Sequence, residues 1–121
     1  MHISERRIGD VTILDLVGDL TYANRSSFKA AVERSKQAGY RHLIVNLQAV
    51  RFLDSSALGM LALLSQSMKA SQGVIILSNP QSYIREILAL AHLDRLLPIY
   101  NSEQEALAGE QLPAGIPHSR N

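Results

Sequence analysis

VNLQAVRFLDSSALGMLALL, residues 45–64, decides how this chain is read. An apolar, β-branched run leads into a short polar turn, Asp54-Ser55-Ser56, and a long apolar helical pattern begins straight after it. The turn thus puts two hydroxyls and one carboxylate at the N-terminal end of a helix. Unpaired backbone N–H groups and the helix dipole favour negative charge there. A serine at this place is chemically suited to carry a phosphate, and the remainder of the chain reads as the scaffold that presents it.

Working outward toward the N-terminus, residues 3–8 and 11–17 read as two strands joined by Gly9-Asp10 into an antiparallel hairpin, which Gly18-Asp19 ends. Asn24 or Ser26 is placed to cap a helix whose apolar stripe is Phe28, Ala31, Val32 and Ala38, and Gly39 stops it. Residues 43–47 form the next apolar strand. After the turn, a helix from about Ser56 to Ser71 carries Leu58, Leu61, Ala62, Ser65 and Met68 on one face, with Met60, Leu63 and Leu64 elsewhere. A helix apolar around most of its circumference is either deeply buried or partly covered by a partner, which leaves homodimerisation open.

Toward the C-terminus, residues 74–77 (VIIL) lack alternation, as in a central strand covered on both faces, and Asn79-Pro80 breaks it. Ile84, Ile87, Leu88 and Ala91 make a single helical stripe opened by Gln81 or Ser82. Residues 98–100 read as a short last strand, and Ser102 and Glu105, in capping-box spacing, start a helix through about Ala108. Strands separated by helices of this length pair in parallel through right-handed crossovers. The fold class is therefore α/β, one domain over residues 1–109 built as a mixed β-sheet with helices packed mainly on one face. Residues 110–121, with two prolines and no periodicity, read as a flexible C-terminal tail.

Composition narrows the function. The 121 residues suit one domain with a core of its own, and 46% hydrophobic with 19% charged residues is ordinary for a globular protein. A net charge of +1 and few aromatics argue against nucleic-acid binding. There is no cysteine, hence no disulfide, thiolate nucleophile or zinc–cysteine site. The four histidines show no ligand spacing, so neither metal nor cofactor is expected. The first residues lack the apolar core of a signal peptide and no apolar run is long enough to insert in a membrane, so a cytoplasmic location is expected.

Asp54 and the serines have three readings. They cap the helix and no more, because Asp and Ser are preferred N-cap types. They belong to a hydrolase elbow, a reading weakened because residues 54–58 do not match Gly-x-Ser-x-Gly and no base is evident. Or the turn is a modification and docking site. Asp15 reads as facing water beside the hairpin, and Arg6, Arg7 and Arg51 as a solvated face.

The run Phe52-Leu53-Asp54-Ser55-Ser56-Ala57-Leu58-Gly59 resembles the Asp-Ser-Ser/Thr-Gly-Leu-Gly signature of the STAS-domain anti-sigma factor antagonists of bacteria. The order of elements is similar from the strand at residue 11 to the last short helix. The resemblance implies a STAS-like fold and a non-enzymatic regulator of transcription. It implies that Ser56 is phosphorylated by a partner that is both anti-sigma factor and serine kinase. The unmodified form holds that partner and frees a sigma factor, the phosphorylated form lets go, and a PP2C-type phosphatase restores binding. Carried over to this sequence, the partner-binding residues are Asp19, Thr21, Asp54, Ser55, Ser56, Ala57 and Leu58. Ala57 stands where glycine is common, which would add a methyl group to the contact surface, and Thr21 stands where some relatives have an acidic residue. STAS domains also serve unphosphorylated, as scaffold subunits in signalling complexes and in lipid- or anion-transport systems, and this is the alternative function.

Overall fold

The computed structural model describes residues 1–111. Strand β1 (His2–Ile8) pairs antiparallel with β2 (Val11–Leu20), and Ile8 faces Val11 across a two-residue turn in which Gly9 takes a φ of +58°. A left-handed residue is what a tight hairpin turn requires and what glycine adopts without a Cβ clash. Helix α1 (Arg25–Gln37) crosses to β3 (His42–Leu53), which lies parallel to β2. Helix α2 (Ser55–Ala70) leads to β4 (Val74–Ser78), and α3 (Ser82–Leu90) to the two-residue β5 (Ile99–Tyr100), both strands again parallel to their neighbours. Helix α4 (Glu103–Gln111) follows, and the strand order is β1-β2-β3-β4-β5.

Alternation along the strands explains the layers. Leu14, Leu16, Leu43, Val45, Leu47, Ile75 and Leu77 point to one face, where Phe28 of α1, Leu61 of α2 and Ile84 of α3 complete the larger core. Val11, Ile13, Ile44 and Ile76 point to the other face and are covered by Ala106 of α4. The mixed sheet with helices mainly on one face is thus present, and strand β4 is buried on both sides.

Several boundaries differ from expectation. Strand β2 does not stop at Gly18. It continues to Leu20 through Gly18 at a φ of +112°, because β3 takes up the register shifts between Asp15 and Val17 and between Gly18 and Asp19 with one extra residue at each. Strand β3 likewise runs on to Leu53, its last residues pairing with β2 alone: Ala49 with Val17, Val50 with Gly18, Phe52 with Asp19 and Leu53 with Leu20. β4 ends where Ser78 meets Asn46, so residues 48–53 have a strand neighbour on one side only.

Ala38 is exposed beyond the last turn of α1, whose buried residues are Phe28, Ala31, Val32 and Ser35. In α2 the buried seam is Ala57, Leu61, Leu64, Ser65 and Met68. Leu64 therefore joins the core face, while Leu58 and Ala62 are only half-buried. Helix α4 reaches Gln111 instead of stopping at Ala108, and the rest of the expected tail lies outside the described residues.

Asp15 is not simply turned to water, nor is Arg6 a lone surface charge. Arg6 reaches across from β1 to bind Asp15 in bidentate fashion, Nε to Oδ2 at 2.6 Å and Nη2 to Oδ1 at 2.9 Å, and Nη2 also meets Glu103 Oε1 of α4 at 2.6 Å. Asn46 Nδ2 donates to Asp15 Oδ1 at 2.8 Å. The Arg6 hydrogen bonds outweigh desolvation and, with Asn46, hold the Asp15 carboxyl below its usual range, while the two carboxylates raise the Arg6 guanidinium further.

An Asp whose pKa is lower folded than unfolded adds stability above its unfolded value of about 3.9, and that stability is lost as pH falls through the folded value. Arg6→Gln should therefore melt below the wild type at neutral pH, with the gap closing as pH drops below about 4. A melting-temperature gap that stays constant into strong acid would exclude this pairing.

Candidate functional site

The Asp54-Ser55-Ser56 turn sits at the carboxyl ends of the parallel strands β2 and β3, where open α/β sheets commonly place their sites. Asp54 is the N-cap of α2, its backbone extended at φ −95° and ψ 178°, and its Oδ1 accepts the Ala57 N–H at 2.9 Å. Its Oδ2 accepts the Tyr22 N–H at 3.0 Å, and its own N–H reaches the Leu20 carbonyl at 3.4 Å. One carboxylate thus ties the end of β2 to the start of α2. The Tyr22 N–H and, next, the Ala57 N–H favour the charged form and hold the Asp54 carboxyl below the ordinary carboxylate range.

The loop after β2 is braced as well. Asn24 was a candidate cap for α1 and does occupy the N-cap position, but its side chain is committed elsewhere. Its Nδ2 donates to the Asp19 carbonyl at 2.7 Å and its Oδ1 accepts the Thr21 N–H at 2.8 Å. Asp19 and Thr21 are therefore held beside the turn by backbone bonds, leaving the Asp19 side chain exposed.

Of the residues singled out from the sequence, Asp19, Thr21, Asp54, Ser55 and Ser56 come together at this end of the sheet. Ser55 is exposed and Ser56 half-buried. Leu58 is half-buried and packs against the larger core. Ala57 is different: its side chain is fully buried in the core, so its methyl group adds nothing to a contact surface, and its role at the turn is the N–H it gives to Asp54.

Sequence reasoning missed a groove between α1 and α2. It has a volume of about 480 Å³, and Ser56 lines it together with Arg25 and Lys29 of α1 and Met60 and Leu63 of α2. Among the described residues no histidine lines it, so Ser56 has no imidazole base there. Tyr22 stands at its rim with the Arg25 guanidinium carbon 3.6 Å from the ring centroid, and Arg25 Nη1 donates to the Tyr22 carbonyl at 2.7 Å. The signal available in the sequence was the three-residue spacing of Tyr22 and Arg25 together with the surplus apolar residues of α2. Among the described residues no helix is long and apolar enough to cross a membrane.

Comparison with known proteins agrees with this geometry. The STAS domain family model matches residues 2–106. A Thermotoga maritima protein provisionally named an anti-sigma factor antagonist is 31% identical over 101 residues, which cover 83% of this chain and 89% of that protein. The crystal structure of a Thermotoga maritima protein with the same provisional name superimposes with a TM-score of 0.82 at 29% identity, over 88% of this chain and 92% of that one. The anti-sigma factor antagonist SpoIIAA in its unphosphorylated form superimposes with a TM-score of 0.69 at 21% identity, over 95% of this chain and 100% of that one, a likeness of fold alone. With the family model spanning nearly all the described residues and the identity sustained over most of the chain, this protein belongs to the STAS domain family.

Proposed function

We propose that this protein is a non-enzymatic anti-sigma factor antagonist switched by phosphorylation of Ser56. The observation that carries the reading is the placement of Ser56: a reachable hydroxyl in the first turn of α2, beside an ionised, backbone-anchored Asp54. The unmodified surface, formed by Asp19, Thr21, Asp54, Ser55, Ser56 and the exposed part of Leu58, holds an anti-sigma factor that is also a serine kinase and thereby frees a sigma factor. A PP2C-type phosphatase returns the modified protein to the binding form. The relatives named as anti-sigma factor antagonists support this assignment.

A phosphoserine carries about −1.5 to −2 charges near pH 7, and a helix N-terminus accommodates it, so the fold is kept. Next to Asp54 it makes a dense negative spot in the docking surface. A partner shaped around a neutral hydroxyl then meets like charge and an unmatched desolvation cost. Incubation with the partner kinase and ATP, followed by peptide mapping in a mass spectrometer, should place one phosphate on Ser56 and none on the Ser56→Ala variant. Phosphate found only at other residues would remove this site from the account.

A further inference from the structure

Helices α1 and α2, which flank the groove, lack acidic residues in their first turns. Helix α1 instead begins with Arg25, a cation where the helix dipole favours an anion, and Lys29 follows one turn later. Both cations line the groove, no carboxylate lines it among the described residues, and Leu63 stands 68% exposed in the same groove beside Met60. Arg25 is held in place over the Tyr22 ring, so little side-chain freedom is left to lose on pairing with a carboxylate. A cation that the helix itself disfavours, fixed at the rim of an exposed apolar strip, is a local conflict of the kind that marks a binding surface.

We infer that this groove is the second anchor for the anti-sigma factor and that it receives an acidic segment of that partner, an apolar side chain seated on Leu63 and Met60 with flanking carboxylates on Arg25 and Lys29. The inference rests on the proposed function and extends it, because the groove is continuous with the phosphorylation site through Ser56. A second copy of this chain fits less well. A two-fold contact through the groove presents each copy's Arg25 and Lys29 to the same strip of its mate, with no carboxylate in the groove to match them. An acidic occupant also explains why modification at Ser56 is effective: the phosphate stands at one end of the groove and repels the carboxylates that Arg25 and Lys29 attract.

The test is calorimetric titration of the full chain with each purified anti-sigma factor kinase of the source cell, at low and high salt. Lys29 and Leu63 are exposed, so Lys29→Glu and Leu63→Ser should leave melting temperature unchanged while each weakens binding about tenfold or more. Lys29→Arg should bind like the wild type, and wild-type affinity should fall with salt more steeply than that of Lys29→Glu. Wild-type binding that is lost in Ser56→Asp but kept within about twofold by both groove variants would overturn the groove and leave the proposed function standing. Failure of the wild type to bind any of these kinases overturns both. A concentration-dependent dimer of the wild type that Leu63→Ser dissolves would assign the groove to a second copy and overturn the acidic occupant.

Discussion

Ser56→Asp is expected to lower affinity for the anti-sigma factor about 100-fold, equivalent to about 2.7 kcal/mol of binding free energy, with little change in melting temperature. The two halves of this expectation have separate causes. Within the fold, residue 56 lies in the first turn of α2, where an added carboxylate meets the positive end of the helix dipole. Within the complex, the same carboxylate adds to Asp54, whose two oxygens are already engaged with the Tyr22 and Ala57 N–H groups and stay ionised. The partner then faces two fixed negative charges with no new donor to meet the second. Ser56→Ala removes only a hydroxyl and should bind as the wild type does. Equal affinities for the Asp and Ala variants in calorimetry would refute the electrostatic switch while leaving the fold assignment untouched.

Phe28→Ala is expected to cost about 3–5 kcal/mol of folding stability, the range for deleting a buried phenyl ring. Phe28 is fully buried and belongs to the larger core, where it joins α1 to the sheet and to α2. A loss of that size should lower the melting temperature by more than about 10 °C in a domain of this length. Urea titration followed by circular dichroism measures it. A loss below about 1 kcal/mol would mean that neighbouring side chains collapse into the space and that α1 is held chiefly by its ends. Because α1 carries Arg25 and Lys29, the variant should also bind the proposed anti-sigma factor partner less tightly, and an uncharged stabilising osmolyte such as sucrose should restore part of that loss.

The strand–turn–helix unit at residues 45–64 is legible in sequence because each signal agrees with the next: β-branched apolar residues, an N-cap aspartate and an uninterrupted helical run. The unalternating residues 74–77 announce a strand buried on both faces, and β4 is one. Strand ends are another matter. Gly18 looks like a stop because glycine usually is one, yet β2 passes through it at a positive φ and keeps pairing to Leu20 while β3 bulges opposite. Residues 48–51 look too polar for a strand, since pattern reading presumes two neighbours and β3 keeps only β2 there.

In the site, Asp54 and the serines declare themselves through residue type and spacing. The groove does not, because it needs Arg25 and Lys29 to be set against Leu63 and Met60, and only the packing angle of two helices far apart in sequence decides that. The Asn24 side chain illustrates the same limit: residue type marks it as a cap, but the competing acceptor and donor at Asp19 and Thr21 come from tertiary placement.

The one-sided end of β3 has a mechanical consequence. Residues 48–53 run on past the end of β4 paired with β2 alone, with Val50 and Leu53 anchored in the larger core, and Asp54-Ser55-Ser56 follows at the end of this extension. On the proposed function, an enzyme reaching that turn meets no third strand at its side and parts no strand pair. The kinase and phosphatase of the proposed switch would take the same approach in turn, each leaving the layered core beneath intact.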